Sequence, residues 1–102
     1  MRRRYLALKA DCEELLESMA LSDAIWNAVL RLFGEVGASQ AGLYLVRFDG
    51  KTRVGVLRCS HTALPVVRAA VASVTRIGNV KAAVHVLRVA GTLKALSRKA
   101  GV

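Results

Sequence analysis

The 102-residue chain is short of several residue types, and each shortage excludes a class of structure or site. Aromatic residues make up 5 %, and the chain has one proline and two cysteines. Cys12 and Cys59 form no CxxC pair and lack clustered histidines, which argues against a zinc site. No window of about 20 residues is free of charge, so no transmembrane helix is predicted. The apolar stretch after the first arginines is too short for a signal-peptide core, and we expect a cytoplasmic protein.

Acidic residues are absent from the whole second half of the chain. Residues 1–49 contain six basic and seven acidic side chains, whereas residues 50–102 contain ten basic side chains and no acid. Soluble surfaces normally mix both signs. The net charge of +9 therefore indicates a polyanionic partner, either nucleic acid or an anionic membrane surface. A merely basic soluble surface is the alternative.

Catalytic groups are also missing from the sequence. His61 and His85 lie in the half without a carboxylate, so no acid near them in sequence can orient an imidazole. Neither a phosphate-cradling GxxxxGK[ST] motif nor a nucleophile elbow occurs. We therefore predict no catalytic residue, and no metal or cofactor bound by the protein itself.

Apolar residues are plentiful, at 54 % of the chain, so we expect residues 1–102 to form a single domain with its own core. Alternating apolar residues predict four strands, over residues 4–10, 42–48, 52–59 and 80–90. A first helix is expected from Ser18 or Ser22 to Gly37. Its buried stripe is predicted to comprise Leu21, Ile25, Ala28, Val29, Leu32, Phe33 and Val36. A second helix is expected to be capped by Ser60 or Thr62, with Pro65 near its start, and residues 93–99 are expected to form a short helical tail.

This order, β-α-β-β-α-β plus a tail, predicts an α+β, ferredoxin-like fold. Its four-stranded antiparallel sheet carries both helices on one face. Both faces of most strands are nevertheless apolar, so one face lacks an internal cover and is expected to bind a protein partner. The alternative is that the tail and the acidic segment 11–17 fold over it. The candidate partner contacts are Tyr44, Val46, Phe48, Val84 and Val86.

RNA-binding modules of this plan stack bases on aromatic residues of the central strands. The third predicted strand has no aromatic residue, so phosphate contact by arginine and lysine is expected rather than stacking. The candidates form three clusters: Arg2, Arg3 and Arg4 at the start, Lys94, Arg98 and Lys99 in the tail, and Arg53, Arg58, Arg76 and Lys81 near the middle strands.

Four segments resemble, in order, the archaeal ribonuclease P protein component 2 family, which is equivalent to the eukaryotic Pop-five subunit. They are Ile25-Trp26 through Phe33-Gly34-Glu35-Val36-Gly37, then Leu45–Asp49, Thr52–Cys59 and Val89–Lys94. The resemblance covers about residues 4–99. One departure is Ala90, where the family often has serine.

The resemblance implies an RNA-binding cofactor subunit of ribonuclease P, which removes the 5′ leader from precursor tRNA. It implies that the RNA holds the active site with Mg²⁺, and that the precursor tRNA is contacted only indirectly. The implied partners are the ribonuclease P RNA, a TIM-barrel-like protein subunit and a second copy of the chain. A small-molecule-sensing or oligomerising ferredoxin-like regulatory module is the alternative, although such a module gains nothing from a half with ten basic residues and no acid.

Overall fold

A computed structural model of the chain describes residues 2–100, and the side chains of residues 2–96. The predicted contacts of Arg98 and Lys99 lie outside the described side chains. The strands are β1 (Arg3–Asp11), β2 (Tyr44–Asp49), β3 (Val54–Ser60), β4 (Arg76–Ile77), β5 (Val80–Lys81) and β6 (Ala83–Ala90). The helices are α1 (Ser18–Gln40), α2 (Leu64–Ser73) and α3 (Leu93–Ala100), and a short 3₁₀ turn spans His61–Ala63.

The main sheet has the strand order β2-β3-β1-β6, and every neighbouring pair is antiparallel. Helices α1 and α2 pack against one face of this sheet and against each other. The expected ferredoxin-like α+β fold is therefore confirmed. Leu6 and Leu8 of β1 are fully buried there against Leu21 and Ile25 of α1, which form the centre of the main core.

The fourth predicted strand is divided in two. Gly78 has a φ of +61°, which favours glycine, and it allows the chain to turn between β4 and β5. These two short strands form their own hairpin, and β6 begins only after Ala82. The prediction of one continuous strand over residues 80–90 is thus wrong, because the hairpin turns its first residues away from the main sheet.

Helix α1 does not end at Gly37 as predicted. Gly34 adopts φ +76° and ψ 177°, which interrupts the helix, and the helix then resumes as far as Gln40. The predicted stripe is buried as far as Val29, but Leu32, Phe33 and Val36 are 46 %, 39 % and 70 % exposed. Val36 lies beyond the break at Gly34, where the 3.6-residue repeat is interrupted, whereas Leu32 and Phe33 are already exposed in the turn before the break.

Two irregularities in strand pairing change which face several apolar residues occupy. The register shifts between Leu45 and Arg47 in β2, so Phe48 packs into the helix-side core. A second shift in the β1–β6 pairing leaves Val84 and Val86 in the same core. The prediction that these three residues belong to an uncovered face is wrong, since one extra residue at a bulge reverses the alternation beyond it.

The second face of the sheet is covered at its centre by α3. Leu96 is fully buried there against Ala7 and Val56, and Val46 packs alongside. The C-terminal tail therefore covers the centre of this face, as the alternative interpretation held. The acidic segment does not cover it, because its Leu16 packs into the helix-side core.

Candidate nucleic-acid interface

Strand direction divides the charged residues between the two ends of the sheet. Strands β1 and β2 are both antiparallel to β3, so they run the same way, and β6 runs opposite to β1. The start of β1 consequently lies beside the last residues of β3 and β6. At this end the backbone N–H of His61 donates to the carbonyl oxygen of Arg2 at 3.0 Å, and the guanidinium of Arg4 lies beside Gly91.

We call this region the basic end. Its members share this location and are Arg2, Arg3, Arg4, Arg58 and Lys94. The three segments that form it, residues 2–6, 58–64 and 88–96, contain no acidic residue. The predicted cluster at the chain start and the predicted cluster in the tail, of which Lys94 is described, therefore lie at the same end of the sheet. Arg58, from the third predicted cluster, lies there too.

The opposite end, which we call the mixed end, carries charges of both signs. Its acids are Asp11, Glu13, Glu14, Glu17 and Asp49, and its bases are Lys51, Arg53, Arg76 and Lys81. Arg76 and Lys81 line one cleft together with Asp11, Glu13 and Glu14. Three predicted RNA contacts, Arg53, Arg76 and Lys81, are thus placed away from the basic end and on a surface where carboxylates oppose phosphate binding.

Two helices also begin at the basic end. Helix α2 starts just after the turn at His61, and α3 starts just after Gly91. The Oγ1 of Thr92 accepts a hydrogen bond from the backbone N–H of Ala95 at 3.1 Å, which caps α3. Because the N-terminus of a helix carries partial positive charge, both helices add to the positive potential of the arginines.

An aromatic and cationic row crosses the second sheet face at the basic end. Tyr44 of β2 pairs with Arg58 of β3, which pairs in turn with Tyr5 of β1. The guanidinium carbon of Arg58 lies 4.9 Å from the centroid of the Tyr44 ring, within cation–π range. This row was not predicted from the sequence. It is recognised only from the strand pairing, in which a tyrosine of β1 and a tyrosine of β2 both pair with the same arginine of β3.

The thiol of Cys59 also lies at the basic end, on the core side of the sheet. Cys59 is fully buried and pairs with Arg4 across β1 and β3. Burial raises the pKa of Cys59 to about 11, and the positive charge of Arg4 opposes this rise. The thiol is therefore neutral at physiological pH and is not a nucleophile.

Exposed apolar side chains concentrate on and beside α1. They are Leu15, Met19, Trp26, Leu32, Phe33 and Val36, each between 39 % and 83 % exposed. Of the predicted partner contacts, Tyr44 is 55 % exposed, whereas Val46 is partly covered by α3. Within residues 2–100, no helix has the length and apolar character needed to cross a membrane.

The fold and its basic end define a ferredoxin-like protein whose described charges suit contact with a phosphate backbone. Comparisons with known proteins narrow this class. Residues 4–101 match the model of the Rpp14/Pop5 family. The chain belongs to this family.

Named relatives agree with the assignment, and one solved structure shares the fold. The chain is 38 % identical to ribonuclease P protein component 2 of Pyrococcus furiosus over 98 residues, covering 96 % of this chain and 82 % of that protein. It is also 38 % identical to the protein of the same name from Archaeoglobus fulgidus, covering 96 % of this chain and 87 % of that one. A chain of yeast ribonuclease MRP, solved by cryo-electron microscopy, is 13 % identical with a TM-score of 0.74, over 90 % of this chain and 76 % of that one. This last likeness concerns the fold alone.

Proposed function

We propose that this chain is a protein subunit of ribonuclease P that binds the ribonuclease P RNA through its basic end. In this role it assists removal of the 5′ leader from precursor tRNA in the cytoplasm. Membership of the Rpp14/Pop5 family and the archaeal relatives named ribonuclease P protein component 2 support the subunit assignment. The observation that carries the RNA contact is the convergence of Arg2, Arg3, Arg4, Arg58 and Lys94 on one end free of acids along its three segments.

The proposed mechanism is electrostatic and conformational rather than chemical. Each lysine or arginine that approaches a phosphate displaces a condensed counterion, so binding stabilises RNA strands that would otherwise repel one another. The catalytic Mg²⁺ in this proposal is bound by the RNA. The protein contributes positive charge at fixed positions on a rigid sheet, which favours one arrangement of the RNA over others.

The chain is also proposed to join other protein subunits of the particle, including a TIM-barrel-like subunit, and to contact precursor tRNA only indirectly. The exposed apolar residues of α1 support a protein contact, because an apolar patch of this kind marks interfaces on small domains. Trp26 and Phe33 are the candidate anchors, since aromatic residues dominate the energetics of interfaces. Self-association through the same helix is the competing use of this surface.

Reconstitution of precursor-tRNA cleavage tests the proposal. Cleavage by the RNA subunit is measured with and without this chain and its protein partner, at a Mg²⁺ concentration where the RNA alone is slow. We expect the wild-type chain to raise the rate, and a variant with Arg2, Arg3, Arg4 and Lys94 changed to glutamine to lose most of that increase. An unchanged rate on addition of the wild-type chain would contradict the assignment.

A further inference from the structure

We propose that the row Tyr44–Arg58–Tyr5 is a stacking platform for an unpaired nucleotide of the RNA, with Tyr44 as the surface on which the base stacks. This inference rests on the proposed function and deepens it. It adds a contact that recognises single-stranded RNA to a basic end that otherwise recognises only phosphate charge.

The row lies on one face of the sheet and runs across three strands. Register pairs Tyr44 with Arg58 and Arg58 with Tyr5, so the three side chains are direct cross-strand neighbours. Tyr5 packs against the α3-covered cluster, which fixes the inner end of the row. Tyr44 lies on β2, the edge strand, and is 55 % exposed. The row therefore leads from a packed interior to an accessible aromatic ring.

Arg58 holds the ring of Tyr44 and adds positive charge beside it. The 4.9 Å separation between guanidinium and ring places a cation over an aromatic face. The Nε of Arg58 is buried and has no hydrogen-bond partner within the described part of the chain, so the guanidinium is held by packing rather than by a carboxylate. Its charge is consequently not neutralised by an ion pair and stays available to a phosphate.

The chemistry of this location favours a nucleotide over a protein side chain. Tyr44 borders Met19, Asp23 and Trp26 of α1 along the edge of the sheet. On the sheet face its ring lies against the guanidinium of Arg58, at an end that also carries Arg2, Arg3 and Lys94. A nucleotide offers a planar base to the ring and a phosphate to the cations at the same time. Sheet faces with exposed aromatics and nearby arginines bind single strands in this way.

Tryptophan fluorescence tests the platform directly. Tyr44→Trp is made in a Trp26→Phe background, so that the only indole is at the proposed stacking position. We expect single-stranded oligoadenylate to quench this indole, and duplex RNA of the same length to quench it far less. Leu87→Trp in the same background is the matched control, since Leu87 is 49 % exposed on the other edge strand and lies beside Arg88. Equal quenching of the two indoles, or none at either, would overturn the proposal.

Affinity for the ribonuclease P RNA provides the second measurement. We expect Tyr44→Ala to weaken binding about tenfold, within the range given by loss of one stacked base, and Tyr44→Phe to retain it. The dependence of affinity on salt is expected to be unchanged in both variants, because stacking releases no counterions. Thermal unfolding of each variant confirms that the exposed substitution leaves the fold intact.

The outcomes separate this proposal from the one on which it rests. Should Tyr44→Ala keep full RNA affinity and instead lose capture of the TIM-barrel-like subunit, Tyr44 is a protein contact and the platform is rejected. Failure of the wild-type chain to bind the RNA at all would reject the proposed function, and the oligoadenylate experiment would still decide the stacking. Loss of affinity in Tyr44→Ala with a reduced salt slope would also reject stacking, since that result describes a lost phosphate contact.

Discussion

The two ends of the sheet contain similar numbers of basic residues but differ in what surrounds them. At the basic end, the three segments that carry Arg2, Arg3, Arg4, Arg58 and Lys94 contain no acid. At the mixed end, Arg76 and Lys81 share a cleft with Asp11, Glu13 and Glu14. A phosphate approaching these three segments meets one sign of charge, and a phosphate approaching the cleft at the second end meets both.

The net charge of +9 is therefore a poor guide to the interface by itself. What matters is which segments the strand order places side by side, because exposed charges farther apart than about 10 Å are largely screened at 0.1 M salt. The basic half of the sequence supplies residues to both ends. Only the basic end gains the arginine triplet from the chain start, and only the mixed end gains the acids of segment 11–17.

The largest expected effect comes from removing four charges from one end at a time. The basic-end variant changes Arg2, Arg3, Arg4 and Lys94 to glutamine, and its matched control changes Lys51, Arg53, Arg76 and Lys81. We expect the first to weaken RNA binding about 100-fold and to lower the salt slope by about 3, and the second to change affinity less than about threefold. Filter binding across a salt series measures both. Equal losses would show that net charge, not its placement, determines affinity.

A smaller effect is expected from the packing that holds Lys94 at the basic end. Leu96→Ala removes the fully buried side chain that attaches α3 to Ala7 and Val56, and should lower the free energy of unfolding by about 2 kcal/mol. Denaturant titration measures this loss. Leu87→Ala, at a position 49 % exposed, should change the same quantity by less than about 0.5 kcal/mol. Similar values for the two variants would mean that α3 does not stabilise the second face.

A substitution at Gly34 tests the break in α1 that precedes the last turns of this helix, which lie at the basic end. Those turns end at Ala41, whose carbonyl oxygen accepts a hydrogen bond from the N–H of Ser60 at 2.9 Å. Gly34→Ala should cost about 1 kcal/mol through backbone strain alone, since φ is +76° and no atom lies within 4 Å of the added carbon. Gly91→Ala, which has an ordinary contact and no positive φ, serves as control. Unchanged melting temperatures in both would contradict a fixed break at Gly34.

The smallest effect at neutral pH concerns Cys59, whose pKa is raised to about 11 from a usual value of 9.0. Because the folded thiol holds its proton more tightly than the unfolded one, its contribution to stability is complete below pH 9 and is lost as the pH rises from 9 to 11. Alkylation of Cys59 at pH 8 should be slow, and Arg4→Gln should slow it further by removing the opposing positive charge. Mass spectrometry of iodoacetamide-treated protein measures both rates. Faster alkylation in Arg4→Gln without loss of stability would contradict this account of the site.

Local pattern predicted the type and order of the main elements well, and failed where one residue breaks a repeat. The alternation in β1 and β3 is regular, so the residues that face α1 and α2 followed from it. In β2 and β6, bulges moved Phe48, Val84 and Val86 to the opposite face from the one expected. A bulge inserts a single residue and leaves composition unchanged, so an alternation count cannot detect it.

The features of the candidate site likewise comprise some that the sequence could predict and some that it could not. The expectation that arginine and lysine contact a polyanion, and the expectation of no catalytic residue, came from residue types alone, and both stay predictions. The choice of RNA as that polyanion came from the family resemblance. The stacking row could not be predicted, because Tyr5, Tyr44 and Arg58 are far apart in the sequence and meet only through strand register. Arg53 and Arg58 are five residues apart, yet they lie toward opposite ends of the sheet because most of β3 runs between them.

The ferredoxin-like plan, the shortage of catalytic groups and the charge asymmetry follow from the amino-acid sequence alone, since they depend on short-range periodicity and on composition. The folded arrangement was needed to show which charges lie together, which apolar residues remain exposed, and that α3 covers the centre of the second sheet face. These features depend on contacts between segments distant in sequence, whose energies are set by register and packing, and no local pattern encodes them.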